Sequence, residues 1–119
     1  MPSIAIIGAS TDRNKFGNKA VRAYAKKGYT VYPIHPKESA IEGIAAFKSI
    51  TDVPAAEIDR VSFYVAPAIG MKIIEEVARK KVGEVWFNPG SESDELLEKA
   101  ESLGLNPIAA CSLVDIGAL

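Results

Sequence analysis

Five short apolar runs, separated by stretches of helical periodicity, constrain this chain more than any other feature. Ser3 to Ile7 reads Ser-Ile-Ala-Ile-Ile and stops at Gly8. A short, predominantly apolar run, rich in β-branched residues and closed by glycine, predicts a strand buried on both faces. The same signal recurs at Thr30–Ile34, Arg60–Ala66, Glu84–Phe87 and Pro107–Ala110. Between them lie helical patterns. Asn18 to Lys27 carries Ala20, Val21, Tyr24 and Ala25 at helical spacing and ends at Gly28. Ile69, Ile73, Ile74, Val77 and Ala78 form a second apolar face, opened by Pro67 and closed by Arg79-Lys80-Lys81. Leu96, Leu97, Ala100 and Leu103 form a third, with Ser91 or Ser93 able to cap it and Gly104 to end it. Pro33 removes one ladder donor from the second run, so that strand is expected to end or fray there.

Strands covered on both faces and joined by helices must run parallel, with right-handed crossovers. The predicted architecture is an α/β, doubly wound, Rossmann-like parallel sheet of about five strands, in a single domain over residues 1–119. A flavodoxin-like order shares the same alternation. Residues 38–58 read less clearly: Ile44 to Phe47 fits a short strand or a turn, and Thr51 to Pro54 a brief helical turn.

Composition narrows the function classes. Fourteen basic against fifteen acidic residues give a net charge of −1, without the basic signal of a nucleic-acid binder. Cys111 is the single cysteine and His35 the single histidine, which argues against a disulfide framework or a structural zinc site and fits a reducing compartment. No apolar stretch is long enough to span a bilayer and no leader pattern opens the chain, so a cytoplasmic location away from membranes is expected.

In such sheets ligands bind beyond the carboxyl ends of the strands, where strand order reverses. Three segments converge on that edge. The first is the loop Gly8 to Gly17, with Gly8, Ala9, Ser10, Thr11, Arg13, Lys15 and Gly17. Its glycines permit close backbone approach to a phosphate, and the amides opening the next helix suit an anion. An ordinary solvated loop is the plain alternative, and the loop departs from G-x-G-x-x-G at Ser10 and Arg13. The second is Pro33-Ile34-His35-Pro36-Lys37, where a dinucleotide site would place an acidic ribose ligand. A cation there suits a phosphorylated ribose instead. A surface lysine and a locally bonded histidine are the plain alternatives. The third is the pair Val65-Ala66-Pro67 and Asn88-Pro89-Gly90-Ser91, small enough to admit a narrow ligand arm, although turn chemistry alone explains the second tetrapeptide.

Taken in order, Ile4-Ala5-Ile6-Ile7-Gly8-Ala9-Ser10, Tyr32-Pro33-Ile34-His35-Pro36-Lys37, Val65-Ala66-Pro67, Trp86-Phe87-Asn88-Pro89-Gly90-Ser91 and the late cysteine resemble the CoA-binding domain family over nearly the whole chain. The resemblance implies coenzyme A or an acyl-CoA as ligand. Gly8, Ala9, Ser10 and the loop through Arg13 would wrap the diphosphate. Lys37 would lie near the adenosine end with its 3′-phosphate, next to His35 and Pro36. Pro67, Asn88 and Gly90 would border the pantetheine arm. Members commonly carry Val-Asn-Pro in place of Ile34-His35-Pro36 and Gln in place of Asn88. Cys111, near the same edge, either meets the CoA thiol in a mixed disulfide or serves as a small buried hydrophobe, the commoner fate of a free cysteine.

No nucleophile has a base to activate it, and Asp12, Asp52, Asp59 and Asp115 are scattered, so a ligand-binding protein without catalysis of its own is expected. An NAD(P)-dependent oxidoreductase is one alternative. Another is a regulatory subunit without ligand, using Trp86, Phe87, Ile116 or Leu119 as interface, although both strand residues read as core. A homodimer is the default oligomer.

Overall fold

The computed structural model describes residues 1–119. Five parallel strands form the main sheet: β1 (Ser3–Ile7), β2 (Thr30–Ile34), β5 (Glu57–Phe63), β6 (Lys81–Phe87) and β7 (Asn106–Ala109), in the order β2-β1-β5-β6-β7. A small antiparallel pair, β3 (Ala40–Ile41) and β4 (Ile44–Ala45), lies between β2 and β5 in the chain. The helices are α1 (Phe16–Lys26), α2 (Pro67–Ala78), α3 (Asp94–Ser102) and the one-turn α4 (Ser112–Asp115).

The choice between the two doubly wound orders turns on one residue. Phe47 makes a parallel bridge to Ile34 on the open edge of β2. Its amide donates to the Pro33 carbonyl at 2.9 Å and its carbonyl accepts from the His35 amide at 2.9 Å. This rung occupies the place of the third strand in the Rossmann order, reduced to a single residue. Pro33 explains the reduction. Amide and carbonyl of one residue point to the same side of a parallel strand, so the missing prolyl N–H faces the same edge as the bonded carbonyl. The outer ladder lacks that donor, while β2 continues unbroken through Pro33 because its pairing to β1 faces the other way.

Alternation along each strand divides the interior into two cores. Ala5, Ile7, Val61, Phe63, Val85 and Phe87 pack with Ile74 and Val77 of α2 and Leu96 and Ala100 of α3. Ile4, Ile6 and Val31 pack on the opposite face with Ala20, Val21 and Tyr24 of α1 and Leu113 of α4. Trp86 and Phe87 are buried, so neither offers an interface.

Several boundaries move for tertiary reasons. Of the expected helix tail Arg79-Lys80-Lys81, Arg79 caps α2, Lys80 links it to the sheet and Lys81 opens β6. Lys80 Nζ reaches back to the carbonyls of Val53 and Ala55, and Lys81 pairs with Glu57 across the strands at 3.0 Å. A Cβ at Gly83 would meet the Asp59 carbonyl oxygen at 2.4 Å, so glycine permits β5 and β6 to close. β5 ends at Phe63, which frees Tyr64 to Ala66 for the sheet edge. The β3–β4 hairpin turns on Glu42 and Gly43, both at positive φ (52° and 75°), as a tight I′ turn requires. No helix is long and apolar enough to cross a membrane.

Candidate functional site

At the carboxyl edge of the sheet, between the β1–α1 loop and the exits of β5 and β6, lies an open cleft of about 680 Å³. It is lined by Gly8, Ala9, Ser10, Lys15, Phe16 and Gly17 from the first loop, and by His35 and Pro36 from the β2 exit. Tyr64, Val65, Ala66 and Ile69 follow β5, and Pro89, Gly90 and Ser91 follow β6.

The first loop is built by two glycines. Gly8 sits at φ +91°, and a Cβ there would lie 2.9 Å from the Tyr64 backbone. A Cβ at Gly17 would lie 2.1 Å from the Gly8 carbonyl oxygen. α1 therefore approaches the end of β1 more closely than any side chain allows. The loop between them is held from within. The Asp12 amide donates to Ser10 Oγ, the Asn14 amide to Asp12 Oδ1, and the Asn18 amide group to the Ser10 carbonyl. Asn18 is fully buried and its Oδ1 accepts from Arg22. It was not singled out in the sequence, because asparagine inside a helical pattern carries no signal of its own.

This scaffolding leaves donors free. The backbone amides of Ala9, Ser10, Phe16 and Gly17 bond to no other protein atom. α1 has no capping side chain and no acidic residue in its first turn. α2, which also starts at the cleft, is likewise uncapped. α3 starts beside the cleft and not in it. There Ser93 accepts from the Leu96 amide and Asp94 and Glu95 occupy the first turn. Helix ends are normally satisfied by side chains, water or ligands. Of the three longer helices, the two that start at the cleft are the ones left without a side-chain cap, and Lys15 adds a positive charge beside them.

The remaining expected residues fall into two groups. His35 and Pro36 line the cleft, but His35 Nδ1 accepts from the amides of Lys37 and Glu38 at 3.0 Å each, which leaves the proton on Nε2. Thr11, Arg13, Lys37 and Pro67 do not line it. Arg13 turns to Glu42 at 3.5 Å, drawn by the hairpin turn that the sequence did not reveal. Lys37 is carried outward by the turn that His35 closes, and Thr11 is exposed at the loop tip. Pro67 is the first residue of α2, and its neighbour Ala66 takes the place on the cleft. Phe16 was not singled out, and Ile69, expected on the buried face of α2, is instead exposed with it at the cleft mouth. Only an apolar residue at a solvent-facing helix position would have marked them.

Asn88, expected to border the pantetheine arm, lines a space next to the cleft, but its side-chain amide group is already bonded within the protein. It donates to Ser62 Oγ and the Phe63 carbonyl, both at 2.8 Å, and Oδ1 accepts from the Ser112 amide at 2.8 Å. The side chain clamps α4 to the sheet. The Ser112 carbonyl also accepts from Tyr24 Oη, and Ser112 Oγ meets both Ser62 Oγ and Tyr64 Oη. Arg60 completes the tie by pairing with Asp115 at 2.8 Å and Glu84 at 3.2 Å. Burial pushes both tyrosine hydroxyls, Tyr24 and Tyr64, above their ordinary pKa, so they remain neutral bonding partners.

This clamp shapes a second, smaller cavity of about 250 Å³, a slot lined by Phe16, Tyr64, Asn88, Pro89, Cys111, Val114 and Leu119. Phe16, Tyr64 and Pro89 border both spaces, so the slot continues the cleft. Cys111 is half-buried on its wall, neither a fully buried hydrophobe nor a surface thiol.

A cleft with uncapped helix ends, a glycine crossing and an apolar extension agrees with what the sequence matches. Residues 2–117 match the model of the CoA binding domain. The chain belongs to the CoA-binding domain family. Over 88% of its length this CoA-binding domain is 29% identical to the alpha subunit of an ADP-forming acetate–CoA ligase II of Pyrococcus furiosus, covering 25% of that protein. Over 74% of its length it is 36% identical to an ADP-forming acetate–CoA ligase of Methanocaldococcus jannaschii, covering 12% of it. The CoA-binding domain thus spans a quarter or less of these two curated relatives. Among solved structures, a conserved hypothetical protein of Pyrococcus furiosus superposes with a TM-score of 0.87 at 30% identity, covering 97% of this chain and 99% of the other.

Proposed function

We propose that this CoA-binding domain binds coenzyme A, or an acyl-CoA, with the diphosphate at the β1–α1 loop. The observation that carries this reading is the set of unpaired amides at Ala9, Ser10, Phe16 and Gly17 beside the uncapped start of α1. Four N–H groups and a helix dipole favour an anion, and Lys15 adds a charge. The exit of the second strand, just past Ile34, presents His35 and Pro36 to the cleft and no carboxylate. An NAD-type ribose contact therefore has no partner there, which disfavours the oxidoreductase reading. From the loop, the pantetheine arm would run past Ala66 and Gly90 toward Pro89. Here Asn88 supports the wall and does not bond the arm.

This path brings the CoA sulfur toward Cys111. We infer that the protein reacts with CoA disulfide by thiol–disulfide exchange. The Cys111 thiolate attacks one sulfur, a protein–CoA disulfide forms, and the other CoA leaves as a thiolate. No further oxidant is needed. Binding should direct the exchange. Purified protein is expected to gain one CoA mass at least tenfold faster from CoA disulfide than from an equal concentration of glutathione disulfide. The adduct should leave with a thiol reductant and be absent in Cys111→Ser. Equal rates for the two disulfides would show that no bound arm delivers the sulfur.

A further inference from the structure

We propose that the slot seats the acyl group of a short-chain acyl-CoA, so that this protein prefers the thioester to free CoA; the proposal rests on the CoA reading of the adjoining cleft. No charged side chain lines the slot. Its two polar neighbours are already satisfied. The Asn88 amide group is bonded to Ser62, Phe63 and Ser112, and the Tyr64 hydroxyl meets Ser112 Oγ at 3.1 Å. What remains toward the space is the ring of Phe16, the body of Tyr64, Pro89, Cys111 and Val114. Such a surface offers a ligand contact with carbon and almost no hydrogen bond, which suits a hydrocarbon and gives nothing to a thiol, a carboxylate or water. Its position fixes which part of the ligand arrives. Phe16, Tyr64 and Pro89 are shared with the cleft, and the slot, which His35 does not line, lies against α4 through Cys111 and Val114. An arm entering over Pro89 reaches it with its sulfur end. Free CoA would leave the slot partly filled, whereas a short acyl chain would complete it.

Calorimetric titration of the intact protein with CoA, acetyl-CoA, butyryl-CoA and palmitoyl-CoA tests this. Each methylene buried should tighten binding about fourfold. Butyryl-CoA is therefore expected to bind at least tenfold more tightly than CoA, with no further gain for palmitoyl-CoA, whose chain exceeds a 250 Å³ slot. Val114 stands on the slot wall and is 61% exposed, so Val114→Asp places a carboxylate there without opening the core. In that variant the preference for butyryl-CoA over CoA should fall to about one. CoA binding with no preference for butyryl-CoA would overturn the proposal and leave the CoA reading intact. A preference that survives in Val114→Asp would place the acyl chain elsewhere and overturn it as well. Binding of none of the four ligands would instead overturn the CoA reading beneath it.

Discussion

Gly17→Ala is expected to lower the melting temperature by on the order of 10–15 °C and to abolish ligand binding in the cleft. The added methyl would lie 2.1 Å from the Gly8 carbonyl oxygen, a backbone atom with no rotamer to escape into. Relief requires α1 to move away from the end of β1, which disturbs the packing of Ala20, Val21 and Tyr24 on that face. Overpacking of this kind costs about 3 kcal/mol, which corresponds to such a shift for a domain of this size. The same movement carries the Phe16 and Gly17 amides off the cleft. Gly104→Ala makes a control of opposite character. It has φ +81° and nothing within 4 Å of an added Cβ, so only the conformational cost of about 1 kcal/mol applies. Thermal unfolding of the two variants separates the causes. Similar small losses in both would show that the glycine crossing is slack and that the loop geometry does not depend on it.

Asn88→Ala is expected to be nearly as damaging, for a polar reason. Three bonds of 2.8 Å vanish together, and the Ser112 amide and Phe63 carbonyl lose their partner in a buried setting. Leaving buried groups unpaired costs about 1–3 kcal/mol each, so a loss of roughly 3–5 kcal/mol is expected. The damage should be local before it is global. α4 is a single turn whose attachment runs through Ser112, Asp115 and Leu113, and Asn88 supplies the bond to its backbone amide. Hydrogen exchange over residues 112–115 should rise well before the sheet opens, and Cys111 should react faster with a neutral thiol reagent. An unfolding midpoint within a degree or two of the parent, with unchanged Cys111 reactivity, would show that α4 stands without the clamp.

The sheet was legible because its signals are local. Ile4 to Ile7 is apolar at each position since both faces are covered, and Gly8 marks its end. The loop glycines and Ala9 and Ser10 could be placed on the cleft because strand and helix follow each other without interruption. The residues whose partners the sequence did not show share a different cause. Arg13 was expected on the ligand and is held by Glu42, whose position depends on a hairpin of two-residue strands too short to show periodicity. Asn88 was expected to border the pantetheine arm, and an asparagine before Pro-Gly is equally a turn residue and a bonding partner. That its partners are Ser62, Phe63 and Ser112 follows from pairings across up to 26 residues that no local pattern encodes. Residues 44–47 read as a short strand or a turn, but that Phe47 pairs with Ile34 was not legible, since a one-residue rung leaves no pattern, although Pro33 already marked the edge that limits it.

The most direct measurement is native mass spectrometry of the reduced, intact protein titrated separately with CoA, NAD and NADP at equal concentrations. One CoA per chain is expected, with at most weak uptake of either dinucleotide. Uptake of NAD or NADP in preference to CoA would contradict the account. So would the absence of any bound nucleotide, since the unpaired amides of Ala9, Ser10, Phe16 and Gly17 would then face the cleft for no ligand of this class.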